Sequence, residues 1–241
     1  MKDAELRSQI RQHFEDSRGI YGSPRLHALL QHQGIRVSRK RVIRLMQQDD
    51  LKARAAKVYR RVPGSKRFFC QIPNSLPELT TRSDQVWVAD ITFIMIGTRY
   101  HFLAVVMDKH SRRILGWSLD KTRTVPLTLT AFNHAIAKRQ PPAGLIFHTD
   151  RGIEFAAYAF RDHLKKHGVI QSMNRPKSMN DNAHMESFFH SLKSEELAGR
   201  RFETQDELDR AIRSYIPRYN ASRIHSSLGY RSPIDYERLA A

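Results

Sequence analysis

Cysteine is nearly missing from this chain: Cys70 is the only one among 241 residues. An intrachain disulfide is therefore excluded, and so is a cysteine-rich structural zinc site, despite twelve histidines. Long apolar runs are also missing. Runs such as Ala104–Met107 and Ile91 with Phe93–Ile96 fall far short of the roughly 18 residues a membrane helix needs. No membrane partner is expected. The N-terminus, Met1-Lys2-Asp3-Ala4-Glu5, carries acids and no apolar segment, which argues against a secretory leader and gives a cytoplasmic expectation. Acids are scarce as well, with 24 Asp and Glu against 41 Lys and Arg, a formal charge of +17.

What is present suffices for a packed core, since 40% of residues are hydrophobic and 9% aromatic. The charge is uneven. Residues 1–83 hold 18 Lys and Arg against 7 Asp and Glu, whereas residues 84–241 hold 23 against 17. Between Leu51 and Pro77 there is no acid at all. Clustered basic charge of this kind points to a polyanion, because neutralising phosphates releases counterions. Solubility, or an acidic protein partner, is the plainer alternative.

The periodicity divides the chain into four parts. Residues 1–51 read as a small helical, helix-turn-helix-like unit. Leu6, Ile10 and Phe14 make one apolar stripe, Pro24 opens a second helix that Gly34 stops, and Ser38 caps a third. That third helix places Arg39, Lys40, Arg41 and Arg44 in its first turns, where a recognition helix meets a major groove. Cations there oppose the helix dipole, which hints at a use outside folding. Residues 52–83 read as a basic linker tracking a phosphate backbone, with Arg60 and Arg61 among its contacts. Residues 84–200 read as a core with three antiparallel strands (Val86–Ile96, Tyr100–Met107, Arg113–Leu119), then alternating helix and strand, giving a mixed five-stranded sheet with flanking helices. Helices are expected at Val125–Arg139, Phe155–His167 and His184–Leu197. Residues 201–241 read as a helical extension packed on the core.

Three acids fall at telling places. Asp90 interrupts an apolar strand, Val86-Trp87-Val88-Ala89-Asp90-Ile91, where an isolated charge is costly unless it is paired or binds a cation. Asp150 ends the fourth strand, and strand ends are where α/β sheets keep their sites. Glu186 sits in the first turn of a helix that follows a polar loop. Each alone has an ordinary explanation as a salt-bridge partner, a turn residue or a dipole-compensating charge. Carboxylates on separate elements can also converge on hard divalent cations, two of which would support in-line phosphoryl transfer. On that reading Asp90, Asp150 and Glu186 are both the catalytic and the metal-binding residues, and the cofactor is two Mg²⁺ or Mn²⁺ ions.

With 35 residues between Asp150 and Glu186, the ordered motifs carry a resemblance. They are Tyr21-Gly22-Ser23-Pro24-Arg25, Val37-Ser38-Arg39-Lys40-Arg41-Val42, Val88-Ala89-Asp90-Ile91-Thr92 and His148-Thr149-Asp150-Arg151-Gly152. Next come Asp181-Asn182-Ala183, Glu186-Ser187-Phe188-Phe189 and Leu192-Lys193. Last are Tyr219-Asn220, Arg223, His225, Leu228-Gly229-Tyr230 and Ser232-Pro233. From about Gly19 to the C-terminus the chain resembles the OrfB half of two-reading-frame bacterial insertion-sequence transposases, whose DDE core is similar to retroviral integrases. The resemblance implies an RNase H-like α/β fold and metal-dependent DNA cleavage with 3′-hydroxyl strand transfer. It implies double-stranded DNA as partner, at element ends and target, and bacterial cytoplasmic localisation at the nucleoid when DNA-bound. It further implies an upstream OrfA-type partner frame, fused or in complex, and a homo-oligomer on DNA.

Lys193, seven residues after Glu186, shares its helical face and is expected at the DNA end; His190 lies on that face too. Glu195 falls on the opposite face and is left out of the site. Asn182 and Lys177 complete the expected DNA contacts, Lys177 standing in a loop where the family usually carries glycine. The paired His and Cys zinc module of retroviral integrases has no counterpart here, nor does a leucine zipper. An RNase H-type nuclease is disfavoured because Val125–Arg139 contains no acid. A catalytically silent DNA-binding regulator of transposition is the alternative function.

Overall fold

The computed structural model describes residues 3–53, 72–175 and 180–240. Arg60, Arg61 and Lys177 lie outside the described residues. Three helices come first: α1 (Asp3–Asp16), α2 (Ser23–His32) and α3 (Arg39–Gln48). Pro24 stands in the first turn of α2, and the Ser38 hydroxyl accepts the Arg41 N–H at the start of α3. Leu6 and Ile10 of α1, Leu26 and Leu30 of α2, and Val42 and Leu45 of α3 are fully buried together.

The strands follow as β1 (Val86–Ile96), β2 (Arg99–Asp108), β3 (Ile114–Asp120), β4 (Ile146–Thr149) and β5 (Ile170–Met173). They form one mixed sheet in the order β3-β2-β1-β4-β5, antiparallel through the first three and parallel from β1 to β5. Alternation along β1 sets its two faces. Val86, Val88, Ile94 and Ile96 pack against α7 (Ala183–Leu192) and α8 (Gln205–Ala221), whereas Trp87 and Ala89 pack against α4 (Val125–Arg139), α5 (Ile153–Ala156) and α6 (Tyr158–Lys166). Gly116 of β3 lets α4 come close: a Cβ there would lie 2.1 Å from the Ala131 carbonyl oxygen.

Two expected helices differ. The stretch expected as one helix over Phe155–His167 is instead α5 and α6, broken at Ala157, whose backbone is extended (φ −61°, ψ 143°). The break lets Phe155 and Phe160, from the two pieces, pack edge to face in one core. Helix α7 ends at Leu192, and Lys193–Leu197 form a π-helical turn. Here buried Glu196 pairs with Arg200 and, at 2.8 Å, with Arg218 of α8. Such insertions re-aim the side chains that follow them.

Residues 72–83 are packed on the core rather than hanging as a tether. Ile72 is buried against the α4 side of the sheet, the Met173 N–H donates to the Pro73 carbonyl, and the Ser75 N–H donates to Ser172 Oγ. The C-terminal part binds the other two parts. Asn220 both accepts the Ile114 N–H (2.8 Å) and donates to the Ile114 carbonyl (2.9 Å), capturing β3. Ile224 joins the core of the N-terminal helices, where its N–H donates to Tyr21 Oη at 3.1 Å. The final helix, α9 (Pro233–Ala240), carries Glu237, which pairs with Arg113 and Arg139. Among the described residues no helix is long and apolar enough to cross a membrane.

Candidate active site

Strand register builds the centre of the site. In the parallel β1/β4 pair the last matched residues are Ala89 and Thr149. Asp90, still within β1, and Asp150, the first residue past β4, come next, so two carboxylates from distant sequence meet at the C-terminal edge of β4. Asp90 lies on the face of β1 that α7 covers. Its Oδ1 accepts the Ile91 N–H at 2.7 Å, and Asp150 Oδ1 accepts the Gly152 N–H at 3.0 Å.

Both acids resist ionisation. Burial pushes the Asp90 carboxyl up to about 8, with the neighbouring Asp150 charge adding to the rise and Glu186 contributing less; Ile91 N–H and Arg123 oppose it. Burial also raises Asp150, against the Gly152 N–H and Arg123, and Glu154 reinforces the rise. Glu186 stands in the first turn of α7 with its side chain on the exposed surface. Among the described residues no three His, Cys, Asp or Glu side chains are drawn together closely enough to hold a metal ion. The aspartates are brought together; the glutamate's helix is beside them, but its carboxylate has not closed the set.

The other expected site residues have distinct surroundings. Lys193 Nζ lies 4.9 Å from the centroid of the exposed Phe93 ring, with Asp90 near enough to offset part of the pKa lowering that burial imposes on the lysine. His190 is exposed in the last turn of α7. Asn182 is buried and turned inward: Nδ2 donates to the Ala89 carbonyl at 3.1 Å, tying the start of α7 to β1 next to Asp90. Arg39 and Lys40 are exposed at the start of α3, whereas Arg41 and Arg44 both pair with Asp3 of α1, Arg41 Nε at 2.8 Å and Arg44 Nη2 at 2.7 Å. Two of the four basic residues expected on α3 thus share one carboxylate within the chain, which offsets one of the four charges.

Three residues at the site had no assigned role. Gly152 permits the approach of charged groups that a side chain would block. Arg123 precedes α4, and its Nε pairs with Glu154 Oε1 at 3.0 Å. Glu154 is buried beneath it. One more buried group borders the site: His148 of β4 meets Ser172 Oγ at 2.9 Å and Asn174 Oδ1 at 2.7 Å, and burial pulls its pKa down to about 4. Only the glycine after Asp150 was a readable signal. Nothing in the sequence separates Arg123 from the other 40 Lys and Arg.

Family models match an HTH-like domain over residues 2–59 and integrase core domains over residues 80–179 and 167–233. The transposase for insertion sequence element IS904 of Lactococcus lactis subsp. lactis (strain IL1403) is 34% identical, over 97% of this chain and 93% of that protein. Transposase InsF for insertion sequence IS3A of Escherichia coli (strain K12) is 33% identical, over 96% of this chain and 84% of its own length. Among solved structures, the HTLV-2 integrase catalytic core domain in complex with magnesium has a TM-score of 0.52 at 19% identity, covering 65% of this chain and 97% of that one. A simian T-cell lymphotropic virus intasome in complex with PP2A regulatory subunit B56 gamma reaches 0.55 at 14% identity, over 98% and 74%. At those identities the viral structures speak for the fold alone. The near full-length relatives, the integrase-core matches and the five-stranded sheet agree: the chain belongs to the IS3-type insertion-sequence transposases, DDE polynucleotidyl transferases that act on DNA.

Proposed function

We propose that Asp90, Asp150 and Glu186 are the carboxylates with which this transposase holds its divalent metal and carries out strand cleavage and joining. The observation that carries the reading is the register that sets Asp90 beside Asp150, where burial and mutual repulsion disfavour both anions. Such a pair fits a hard dication. Its donors are all carboxylate oxygens, and a bound cation relieves the charge that the fold has concentrated there. Glu186, exposed on the adjoining turn, completes the set by a side-chain rearrangement. Two Mg²⁺ or Mn²⁺ ions held there would supply nucleophile activation and leaving-group stabilisation.

The chain's own residues do the rest. Asn182 fixes the turn that carries Glu186 against β1. Lys193, its ammonium steadied by the Phe93 ring, receives a DNA phosphate, and His190 lies one turn before it on the same helix. In cleavage, water attacks the phosphorus at the element end and the 3′-oxygen departs, taking a proton to become a 3′-hydroxyl. In joining, that 3′-hydroxyl attacks a second phosphodiester. One P–O bond forms, one breaks, and a new 3′-hydroxyl is released. The +11 carried by residues 1–83 grips the duplex, with Arg39 and Lys40 at the exposed start of α3. The sequence adds Arg60, Arg61 and Lys177 to that grip. A homo-oligomer on DNA and an upstream OrfA-type partner frame complete the proposed assembly.

The test is strand transfer on labelled duplex ends with Mg²⁺ or Mn²⁺, using Asp90→Asn, Asp150→Asn and Glu186→Gln singly. Each substitution is expected to abolish joining while duplex binding persists. Undiminished joining by any variant removes that residue from the mechanism, and undiminished joining by all three favours no role for the cluster.

A further inference from the structure

Arg123, Glu154 and Asp150 surround the missing side chain of Gly152. A Cβ on Gly152 would lie 2.9 Å from Asp150 Oδ1, 3.0 Å from Glu154 Oε2 and 3.1 Å from Arg123 Nη2. Two anions and a cation therefore converge on one small space at the edge of the aspartate pair. The glutamate is the unusual member. Its side chain is 5% exposed, and although Oε1 pairs with Arg123, Oε2 is buried with no hydrogen-bond partner among the described residues. A half-satisfied buried carboxylate beside another acid costs stability, so folding alone gives no reason for it.

The arginine has the complementary property. Its side chain is 38% exposed and only Nε is committed, to Glu154. Guanidinium carries five N–H donors in a rigid fork, and the Nη groups make no hydrogen bond to a described residue. The fork is thus held at its base and left open at its tip, next to two carboxylates whose ionisation its charge favours. Thr124, the residue that precedes the first turn of α4, follows Arg123 in extended backbone (φ −134°, ψ 167°) and makes no side-chain capping bond. Open donors beside an acidic centre suit an anionic group with planar or tetrahedral oxygens, which in a strand-transfer site is a phosphodiester.

We propose that Arg123 contacts a phosphodiester of the reacting DNA strand, and that Glu154 is the positioning residue that holds its guanidinium beside Asp150. This rests on the site proposed above. Gly152 belongs to the same device, because any side chain there would displace the fork or the carboxylates.

The two roles separate experimentally. Duplex binding is measured by fluorescence anisotropy with a fluorescein-labelled duplex in Ca²⁺ over a salt titration, and joining is measured separately in Mg²⁺. Arg123→Ala is expected to weaken duplex binding about ten-fold and to reduce the slope of log K against log salt by about 0.9, the loss of one phosphate contact. Arg123→Lys keeps the charge and the slope but lowers joining. Glu154→Gln removes an anion, so simple electrostatics has it bind DNA at least as tightly and join normally. Positioning instead predicts undiminished binding with joining reduced about a hundred-fold, the cost of roughly 1 Å of misplacement. An unchanged slope in Arg123→Ala, or full-rate joining by Glu154→Gln, overturns the proposal. Thermal unfolding of Arg123→Lys and Glu154→Gln guards against loss of fold. If Asp90→Asn joins normally, the site assignment fails instead, while the slope in Ca²⁺ still decides Arg123.

Discussion

Arg223 offers the sharpest test of how the N-terminal helices and the candidate site are joined. It is 10% exposed, and its partner Glu195 is 9% exposed. Nε lies 2.9 Å from Glu195 Oε1, Nη2 lies 2.7 Å from the same atom and 2.8 Å from Ser191 Oγ, and the guanidinium covers the Tyr219 ring at 5.4 Å. Ser191 belongs to α7, the helix of Glu186, and Glu195 to the π turn that continues it. The next residue, Ile224, donates to Tyr21 Oη, and Tyr21 Oη donates to the Ser222 carbonyl at 3.1 Å. Replacing Arg223 with Met keeps most of the volume but leaves Glu195, among the described residues, with only the Tyr215 hydroxyl, at 3.0 Å. Breaking one side of a buried pair costs about 3–5 kcal/mol, whereas replacing both by apolar groups costs far less. Arg223→Met should therefore be destabilised by that amount, lowering Tm by roughly 6–20 °C for a chain of this size. The double variant Arg223→Met with Glu195→Met should recover most of the loss. Urea unfolding followed by fluorescence suits the measurement, because both tryptophans, Trp87 and Trp117, belong to the sheet. A loss under about 1 kcal/mol for the single variant, the range of an exposed pair, would refute the claim that this joint is buried and committed.

Three further outcomes follow from particular contacts. Asp90 has its pKa raised from 3.8 to about 8 in the metal-free fold, so the native state holds a proton that the unfolded chain has released. Its contribution to stability is complete below pH 3.8 and is lost as pH rises through about 8. Metal-free Asp90→Asn should then be more stable than wild type at pH 8 in thermal unfolding, and a variant that is no more stable there counts against burial of an anion; Mn²⁺ affinity of wild type should rise across the same interval. Asp3→Ala should free Arg41 and Arg44, tightening duplex binding and steepening its salt dependence in anisotropy; an unchanged slope would place α3 away from DNA. Gly116→Ala should fail to fold stably, because its Cβ would overlap the Ala131 carbonyl oxygen and no flexible side chain is there to yield. A normal urea midpoint for that variant would show that α4 stands off β3.

Local patterns survive into the structure wherever one element's own chemistry decides its state. Ser38 caps α3, Pro24 starts α2, and β1 alternates between two cores as its side chains demand. Boundaries shift where tertiary packing outweighs periodicity. The apolar stripe over 155–167 reads as one helix because Phe155, Phe160 and Leu164 recur at near-helical spacing. Packing two rings around Phe147 requires the extended Ala157 between two pieces. The π turn is equally silent in sequence, since Glu195 and Glu196 take their places from Arg223, Arg200 and Arg218 elsewhere in the chain.

The sequence by itself determined the class of the molecule. One cysteine, no long apolar run and a surplus of basic residues pointed to a polyanion partner, and the ordered motifs around three acids carried the resemblance that implied a DNA-acting integrase-type fold. Those are composition, order and spacing, which are properties of a chain. Only the tertiary structure decided which charged and polar groups are spent and which stay available. Asp3 takes up Arg41 and Arg44, Ala89 receives Asn182, and Glu154 holds Arg123 by one nitrogen. The reason is distance. Charges interact through space over a few ångströms, and the pairs that matter lie from 31 to 93 residues apart along the chain.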